Sequence, residues 1–444
     1  MATGLFLFQN DLRLHDNPAL KLAASEMDNL ICVYCLPYDR ANRYPYGITR
    51  LGPHRLQFLL QSLDNLAEQL EQHRQHLHVL LEHPLNILPT LITKHNISAI
   101  YSNEQTGTYE QRNWQTLKGR YPYIQFFSVA SQTLFDRTEL PFHITQLPDS
   151  FAHFNAQVEG LCITPPVSEI CALPPAPSSS RPFDILGPLI NQQTSHLFSG
   201  GEQAGLKQLL NYQLAFDPSD DKASYNQLDD LSISSHMSPW LALGCVSPKT
   251  MLSTLNTAQP VNGTADHPAD SPLLLIESMK KALLIREYRH WSAHYLGPTL
   301  FAFKGIKSHG PHTAFYPERF RRWCEGNTPF PLVNALMNQL RQTGYLSHCG
   351  RQIVASCLVN ELSVDWRYGA SFFEEHLIDY DVAVNWGNWQ CIAGVGTEPA
   401  DPQPFNIEQQ TARYDPDGQF IRKWGGDNHD GNLDSVDAAD WPIW

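Results

Sequence analysis

Two carboxylates and an amide lie close together in the stretch Leu377-Ile-Asp-Tyr-Asp-Val-Ala-Val-Asn385. Asp379 and Asp381 are two residues apart, just past a predicted helix, and Asn385 follows four residues later. Carboxylates accept hydrogen bonds from ring N–H groups, whereas an asparagine side chain can both donate and accept them. This set therefore suits a planar heteroaromatic ring that carries imide and amine edges.

Two further patterns could complete a site for such a ligand. Arg351 lies where Gly350-Arg351-Gln352 opens a predicted helix, and its guanidinium could pair with one of the two aspartates. Upstream, Ser234-Ser-His-Met-Ser238 precedes an apolar helix, and hydroxyls with free N–H groups at a helix N-terminus can bind a diphosphate. Each pattern also has a plain structural explanation, since such serines commonly cap helices and paired aspartates are commonly solvated. Their combination is what favours a ligand site.

The first part of the chain alternates between predicted strands and helices. Apolar runs that are short enough for buried parallel strands occur at residues 5–8, 30–36, 77–81, 97–101 and 124–129. Between the second and third runs, leucines recur at helical spacing along residues 55–73. This alternation predicts an α/β domain, built on a doubly wound, Rossmann-like parallel sheet with crossover helices.

Helical periodicity dominates the second half of the chain. Residues 165–188 are rich in proline and serine, which is typical of a linker. Beyond them, apolar residues recur at helical spacing in 332–340 and again in 353–358, which predicts an all-α domain. We therefore predict an α/β domain at residues 1–135, an interdomain linker at 136–195, a helical domain at 196–424 and an acidic tail at 425–444 with five aspartates.

Composition narrows the classes of protein that fit. A chain of 444 residues exceeds what one hydrophobic core usually organises, and a net charge of −14 argues against tight binding to phosphate backbones. The stretch 280–369 is locally basic, which favours a single anionic ligand site. Nine scattered cysteines fit free thiols in a reducing compartment, and their spacing indicates no metal site. With no apolar run near ~20 residues and no secretory leader, the sequence indicates a cytoplasmic protein without a membrane span.

Several motifs together resemble the cryptochrome/photolyase family, and particularly its DASH branch. The resemblance runs from Leu5 to about Trp424. The opening Phe8-Gln-Asn-Asp-Leu-Arg-Leu-His-Asp-Asn-Pro-Ala-Leu20 is similar to the family's first strand and turn. Leu134-Phe-Asp-Arg-Thr-Glu-Leu-Pro-Phe142 is similar to a stretch typical of the DASH branch. Ser238-Pro-Trp-Leu-Ala-Leu-Gly-Cys245 and Leu362-Ser-Val-Asp-Trp-Arg367 are similar to motifs of its flavin domain.

The resemblance implies FAD, bound in the helical domain. The residues that would face the diphosphate and ribityl chain are Tyr225, Ser234, Ser235, His236, Met237 and Ser238, with Arg286 in the same cavity. Arg351 and Asp379 would form an ion pair beside the flavin. Asp381 would meet the pyrimidine edge of the ring, and Asn385 would lie opposite N5. An amide at that place cannot supply a proton as a carboxylic acid could, which favours a reduced anionic flavin.

Three tryptophans also match positions of the family. The resemblance implies that Trp389, Trp366 and Trp323 form an electron relay from the surface to the flavin, because indole is a plausible one-electron donor and neighbouring rings allow stepwise hopping. The alternative is that three of the ten tryptophans simply fill a helical core. The matching sequence context of each residue favours the relay.

The sequence departs from the family at the pocket that repairs pyrimidine dimers. Members that carry out this repair have a Glu and a Trp where this chain has Ala282 and Ile285. Further departures are His348, Cys349, Cys391, Pro329 and Asn334. A flipped dimer needs a carboxylic acid for its polar edges and aromatic walls for stacking. The losses imply that photochemistry is kept while repair is weakened or lost.

The resulting hypothesis is an FAD-dependent blue-light photoreceptor of the cryptochrome DASH type, which works by photoinduced electron transfer and acts on a signalling partner that the sequence does not name. The alternative from the enzyme class is a light-driven DNA photolyase that repairs pyrimidine dimers, mainly in single-stranded DNA, where flipping costs less. A passive nucleic-acid-binding protein is the third reading, and the acidic net charge disfavours it, so we expect weak or no binding of nucleic acid.

A second cofactor is also implied, at the cleft between the domains. Glu110 lies where the family has an acid that can hold a pterin ring, so the antenna would be a folate such as 5,10-methenyltetrahydrofolate. The alternative is an exposed carboxylate on a helix, and the sequence does not separate the two.

Overall fold

A five-stranded parallel sheet forms the first domain of the computed structural model, which describes residues 2–36, 48–168, 170–177, 197–215, 228, 235–257, 271–397 and 404–427. The strands are β1 (Thr3–Phe8), β2 (Asn29–Cys35), β3 (Leu77–Leu80), β4 (Ile97–Asn103) and β5 (Gln125–Val129). Their order in the sheet is β3-β2-β1-β4-β5, so the chain winds outward on both sides of β1. The predicted doubly wound α/β domain is confirmed.

Alternate residues of the strands point into two separate hydrophobic clusters, which buries both faces of the sheet. The helices that cover it are α1 (Pro18–Glu26), α2 (Pro53–Gln72), α3 (Pro84–His95) and α4 (Thr108–Arg120). Phe6 and Phe8 of β1 share a cluster with the leucines of α2. Leu5 and Leu7 share the other cluster with apolar residues of α3 and α4. The leucine stripe that predicted α2 is therefore the face that packs on the sheet.

Helices form the rest of the described chain. They are α5 (Phe151–Val158), α6 (Glu202–Ala215), α7 (Ser238–Ala242), α8 (Pro248–Thr257), α9 (Ser271–Leu296), α10 (Pro317–Glu325), α11 (Pro331–Thr343), α12 (His348–Ser356), α13 (Trp366–His376), α14 (Val382–Ile392), α15 (Ile407–Tyr414) and α16 (Gln419–Lys423). Short 3₁₀ turns span Ile144–Gln146 and Gly297–Phe301, and a π turn spans Cys357–Glu361. The all-α nature of the second domain is confirmed. None of the helices in the described ranges is long and apolar enough to cross a bilayer.

The predicted linker and tail are described only in part. Helix α5 lies within the linker, and its Phe154 is buried in the same cluster as the leucines of α2. Residues 169 and 178–195 of the linker, and the tail from residue 428 onward, lie outside the described residues.

The loop after β1 joins the two domains. Arg13 is almost fully buried there, and its guanidinium donates to the carbonyl oxygens of Gly244 (2.7 Å), Asp16 (2.9 Å) and Ser131 (2.9 Å). Gly244 has a φ of +63°, and a Cβ at this position would lie 2.0 Å from the Asn10 carbonyl oxygen. Only glycine therefore allows the helical domain to approach this loop so closely.

A buried carboxylate makes a second connection between the domains. Glu287 of α9 accepts hydrogen bonds from the backbone N–H groups of Leu134 (2.5 Å) and Phe135 (3.2 Å), and from the Trp291 indole (2.9 Å). Burial raises the pKa of Glu287 to about 7, although these donors and Arg286 act in the opposite direction. The carboxylate thus fixes the segment after β5 to the longest helix of the second domain.

Candidate functional site

A cleft in the helical domain brings several of the predicted residues together. It is formed by α12, α13, α14 and the loop between the last two helices, and the space in and at its mouth, open solvent included, is about 490 Å³. The predicted residues that line it are Arg351, Asp379, Asp381, Asn385 and Trp389. Among the described residues, no group of three or more His, Cys, Asp or Glu side chains is placed to hold a metal ion.

Arg351 and Asp379 form an ion pair in the wall of the cleft. A guanidinium nitrogen of Arg351 lies 2.7 Å from Asp379 Oδ2, and Nε donates to the Leu346 carbonyl oxygen at 2.9 Å. The other carboxylate oxygen, Asp379 Oδ1, is buried and has no hydrogen-bond partner among the described residues. An unpaired buried acceptor is costly, so the site fits a ligand that places an N–H group there, as an isoalloxazine imide does.

Asp381 is held from every side by the protein itself. Its Oδ1 caps α14 by accepting from the backbone N–H groups of Ala383 (3.0 Å) and Val384 (3.2 Å). Its Oδ2 accepts from Arg286 (3.1 Å) and from His290 Nε2 (2.8 Å). Burial would raise the pKa of Asp381, but the neighbouring His290 and Arg286 hold it well below its usual range. The carboxylate is therefore ionised and its bonds are already made.

The buried acceptor without a partner belongs to Asp379, and the assignment of the pyrimidine edge of the ring to Asp381 stays a prediction. Asp381 is also the N-cap residue of α14. A capping carboxylate turns toward the backbone N–H groups of its own helix. Sequence spacing alone does not distinguish a capping aspartate from one that faces a ligand.

Asn385 presents a fixed amide to the cleft. Its Nδ2 donates to the Ala370 carbonyl oxygen of α13 at 3.0 Å, and the side chain is buried. This bond holds the plane of the amide. A neutral amide offers hydrogen bonds but no transferable acidic proton.

Arg286 and His290 support the site from α9. Arg286 is anchored by the carbonyl oxygens of Gln132 (2.6 Å) and Leu241 (3.3 Å) and reaches the cleft through Asp381. Sequence reasoning missed His290, although it lies four residues after Arg286 and so on the same face of the helix. Burial and the neighbouring Arg286 lower the pKa of His290, against the pull of Asp381, which favours the neutral ring with its Nε2–H on the carboxylate.

The predicted diphosphate segment is described only from Ser235 onward, because Tyr225 and Ser234 lie outside the described residues. His236 and Met237 are buried, and His236 has a φ of +49°. Its Nδ1 lies 3.0 Å from the Tyr345 hydroxyl, and the Tyr345 ring lies beneath the Arg351 guanidinium at 5.3 Å. The segment is thus joined to the ion pair through Tyr345, a residue that sequence reasoning missed.

The Tyr345 phenol also has a hydrogen bond with Ser238, and burial raises its pKa to about 12. Helix α7, which begins at Ser238, has only five residues. A helix this short offers little dipole to an anion, so the predicted diphosphate site depends on the side chains and loop of the segment.

The three relay tryptophans are packed in the helical core. Trp389 lines the cleft, and its ring centroid lies 6.3 Å from that of Trp323 in an edge-on arrangement. The Trp366 ring instead contacts Trp386 at 5.8 Å. Trp323 and Trp366 have no exposed surface, and Trp389 is 2% exposed. The expectation that this set reaches the surface is therefore wrong: Trp323 of α10 cannot be a solvent-exposed end, because it is fully buried against α12, α13 and α14.

Two positions of the predicted repair pocket, Ala282 and Ile285, are exposed on α9, and Cys391 on α14 is half-buried. The cleft is also lined by His348, Asn388 and Ile392. Burial lowers the pKa of His348, and the Arg351 and Arg289 guanidinium groups act in the same direction.

Glu110 lies in the first turn of α4, on an exposed position. Its carboxylate is turned back toward Gly107, where a Cβ would collide with it, and Val382 of the helical domain is close to the same glycine. The side chain is therefore placed where the two domains meet.

Comparisons with known proteins agree with this architecture. Residues 4–176 match a family model described as DNA photolyase, and residues 279–428 match one described as the FAD binding domain of DNA photolyase. The chain is 44% identical to a cryptochrome DASH of Idiomarina loihiensis over 440 residues, covering 99% of this chain and 96% of that protein. A cryptochrome DASH of Vibrio parahaemolyticus is 41% identical over 442 residues, covering 99% of this chain and 97% of that protein.

Solved structures show the same relationship. A cryptochrome of Synechocystis sp. PCC6803 superposes with a TM-score of 0.86 at 34% identity, covering 96% of this chain and 88% of that one. A photolyase of Sulfolobus tokodaii, whose structure is described as holding two FAD molecules, superposes with a TM-score of 0.76 at 26% identity, covering 95% and 90% of the two chains. With the sheet, the FAD-binding domain and full-length identity in agreement, the chain belongs to the cryptochrome DASH branch of the photolyase family.

Proposed function

We propose that this chain is a blue-light photoreceptor that works by photoinduced electron transfer to bound FAD. The observation that carries the proposal is the cleft wall, where the buried Asp379 Oδ1 lacks a donor beside the Arg351 guanidinium. This arrangement fits a ring that donates an imide N–H and accumulates negative charge on reduction. When bound, FAD would supply the light absorption and the capacity to accept an electron.

Each residue of the wall has a distinct role in this proposal. Asp379 Oδ1 accepts the imide N–H, and the Arg351 guanidinium offsets the negative charge of a reduced ring. Asn385 offers a hydrogen bond without an acidic proton, which favours an anionic reduced ring. Asp381 orients α14, and with it both Asn385 and Trp389, through its capping bonds.

Trp389 is the proposed first electron donor, because it is the relay residue that lines the cleft. Trp323 lies in ring contact with it and is the next donor in this direction. Trp366 belongs to the same proposed relay, although its ring contact is with Trp386. The burial of all three rings keeps the oxidised indoles away from water.

We further propose that light-driven repair of pyrimidine dimers is weak. Ala282 and Ile285 on α9, and Cys391 on α14, offer neither a carboxylic acid nor an aromatic wall to a flipped dimer. The second candidate function is repair in single-stranded DNA. It is favoured by the polar lining at His348, Gln352 and Asn388, whose side chains could bond base edges.

A folate antenna at Glu110 is proposed on its position alone. The carboxylate is exposed where α4 faces Val382 of the helical domain, and an acid there can bind the amine edge of a pterin. Replacing Glu110 by Gln and measuring near-ultraviolet absorbance of the purified protein tests the assignment.

An absorbance spectrum of the purified protein, before and after blue illumination with a thiol donor, tests the main proposal. We expect bound FAD whose oxidised bands bleach in the light and return in air. Colourless protein that takes up no added FAD would refute the cofactor assignment. FAD that is bound but does not bleach would refute the electron transfer. Turnover of a dimer-containing oligonucleotide in the same sample would favour the second candidate.

A further inference from the structure

Tyr380 lies between the two aspartates of the cleft and lines it as they do. Its phenol is half-buried and is held by groups that the proposed relay does not use. The hydroxyl donates to Glu374 Oε2 at 2.9 Å, and the Trp386 indole N–H donates to the same hydroxyl oxygen at 3.2 Å. The phenol therefore donates its O–H to a carboxylate and accepts an indole N–H at a lone pair of its oxygen.

The neighbours of Tyr380 connect it to the tryptophans. The Trp386 ring lies 5.8 Å from Trp366, so Tyr380, Trp386 and Trp366 form a continuous aromatic path from the cleft into the core. This path is separate from the contact of Trp389 with Trp323. It gives Trp366 an aromatic route to the cleft through a tyrosine.

A positive charge lies over the Tyr380 ring. The Arg55 guanidinium carbon is 4.4 Å from the ring centroid, and the same group donates to the Glu374 backbone carbonyl at 2.8 Å. A cation at this distance stabilises the electron-rich neutral ring but opposes a second positive charge on it. Oxidation of Tyr380 is therefore favourable only when the phenol loses its proton in the same event.

Glu374 is placed to take that proton. The Oη to Oε2 distance of 2.9 Å is within the range for proton transfer along a hydrogen bond. Burial raises the pKa of Glu374, against the effect of Arg55 and of the Tyr380 bond, which makes the carboxylate a stronger base than an exposed one.

We propose that Tyr380 is a proton-coupled electron donor at the flavin cleft, with Glu374 as its proton acceptor. The proposal rests on the photochemistry proposed above, because photoexcited FAD is the oxidant. One electron leaves the phenol and reduces the flavin bound in the cleft that Tyr380 lines. The Tyr380 O–H bond breaks, a new O–H bond forms on Glu374 Oε2, and a neutral tyrosyl radical remains. Return of the electron and the proton restores both residues.

Electron paramagnetic resonance of the FAD-loaded chain during blue illumination tests the proposal. We expect a neutral tyrosyl signal that narrows when the tyrosines are ring-deuterated. The signal should be lost in Tyr380→Phe, which keeps the ring, the cation contact and the packing. In Glu374→Gln, which removes the base but keeps an acceptor oxygen, formation of the radical should slow about a hundredfold or more, the usual contribution of a general base.

Tyr101→Phe is the matched control. The Tyr101 hydroxyl also donates to a carboxylate, Glu26, at 2.6 Å, but it lies in β4 far from the cleft. This variant should retain the full signal. Flavin occupancy and the thermal unfolding midpoint, measured for each variant, identify any change that is due to misfolding.

The outcomes separate this inference from the photochemistry on which it rests. A chain that binds FAD and bleaches, but shows only tryptophanyl radicals, overturns the role of Tyr380 and leaves the photochemistry standing. An unchanged tyrosyl signal in Tyr380→Phe at full occupancy overturns it as well. A native chain that does not bleach overturns both.

Discussion

Replacing Asp379 by alanine should weaken both FAD binding and the fold. The change removes Oδ1, a buried acceptor without a partner among the described residues, and Oδ2, the partner of Arg351. A hydrogen bond to a charged group contributes about 1.5–3 kcal/mol. The dissociation constant of FAD should therefore rise about 10- to 100-fold, since about 1.4 kcal/mol corresponds to a factor of ten.

The cost to the fold follows from the charge that is left behind. Breaking a buried ion pair usually costs about 3–5 kcal/mol because one charge is stranded. The Arg351 side chain is 23% exposed and keeps its bond to the Leu346 carbonyl oxygen, so we expect the low end of that range. Asp381→Ala should cost more in stability, because it removes a helix cap and strands both Arg286 and His290.

The assay combines two measurements on each variant. Quenching of flavin fluorescence gives the dissociation constant, and urea unfolding of the FAD-free protein gives the free energy of unfolding. Glu325→Ala is the control, since it removes an exposed carboxylate paired with the exposed Arg321 and should change stability by less than about 1 kcal/mol. FAD affinity and stability in Asp379→Ala that match those of the control would refute the role assigned to the carboxylate.

Further predictions concern the relay, the domain junction and the repair pocket. Trp366→Phe should slow flavin bleaching under blue light without loss of FAD, and unchanged kinetics would remove Trp366 from the relay. Burial raises the pKa of Glu287 to about 7 from 4.5, so the stability that comes from its bound proton falls as pH rises through that window. Between pH 5.5 and 8, the free energy of unfolding measured in urea should fall by about 2 kcal/mol more for the native chain than for Glu287→Gln. Equal decreases in the two proteins would contradict this. Installing Glu at Ala282 and Trp at Ile285 should raise dimer turnover under light, and a variant as inactive as the native chain would show that other departures dominate.

Sequence patterns predict the strands and helices of the fold well, because the residues that these elements bury must be apolar. The runs at 5–8 and 30–36 became β1 and β2 with their ends shifted by at most two residues, since strands buried on both faces must be apolar throughout. The leucine stripe of α2 was equally clear. Both features depend on which face of a strand or helix is buried away from water. The local pattern of apolar and polar residues shows this directly.

The sequence predicted which residues form the site better than it predicted what each residue does there. Arg351 and Asp379 pair as expected, because their motifs identify them. The capping of α14 by Asp381, and the support of His290, depend on how α9 packs against that helix. The burial of Trp323 depends on α12, α13 and α14, which come later in the sequence. Such roles are set by tertiary contacts, for which spacing along one chain carries no signal.

The buried Arg13 has a consequence for synthesis of the protein on the ribosome. One of its acceptors, the Gly244 carbonyl oxygen, is made 231 residues later. At the usual elongation rates, this interval is about 10 to 50 s. The α/β domain therefore emerges from the exit tunnel with part of its guanidinium unbonded and its apolar junction still open. Folding factors that shield this surface should bind nascent chains that end before residue 244 and should be released from longer ones.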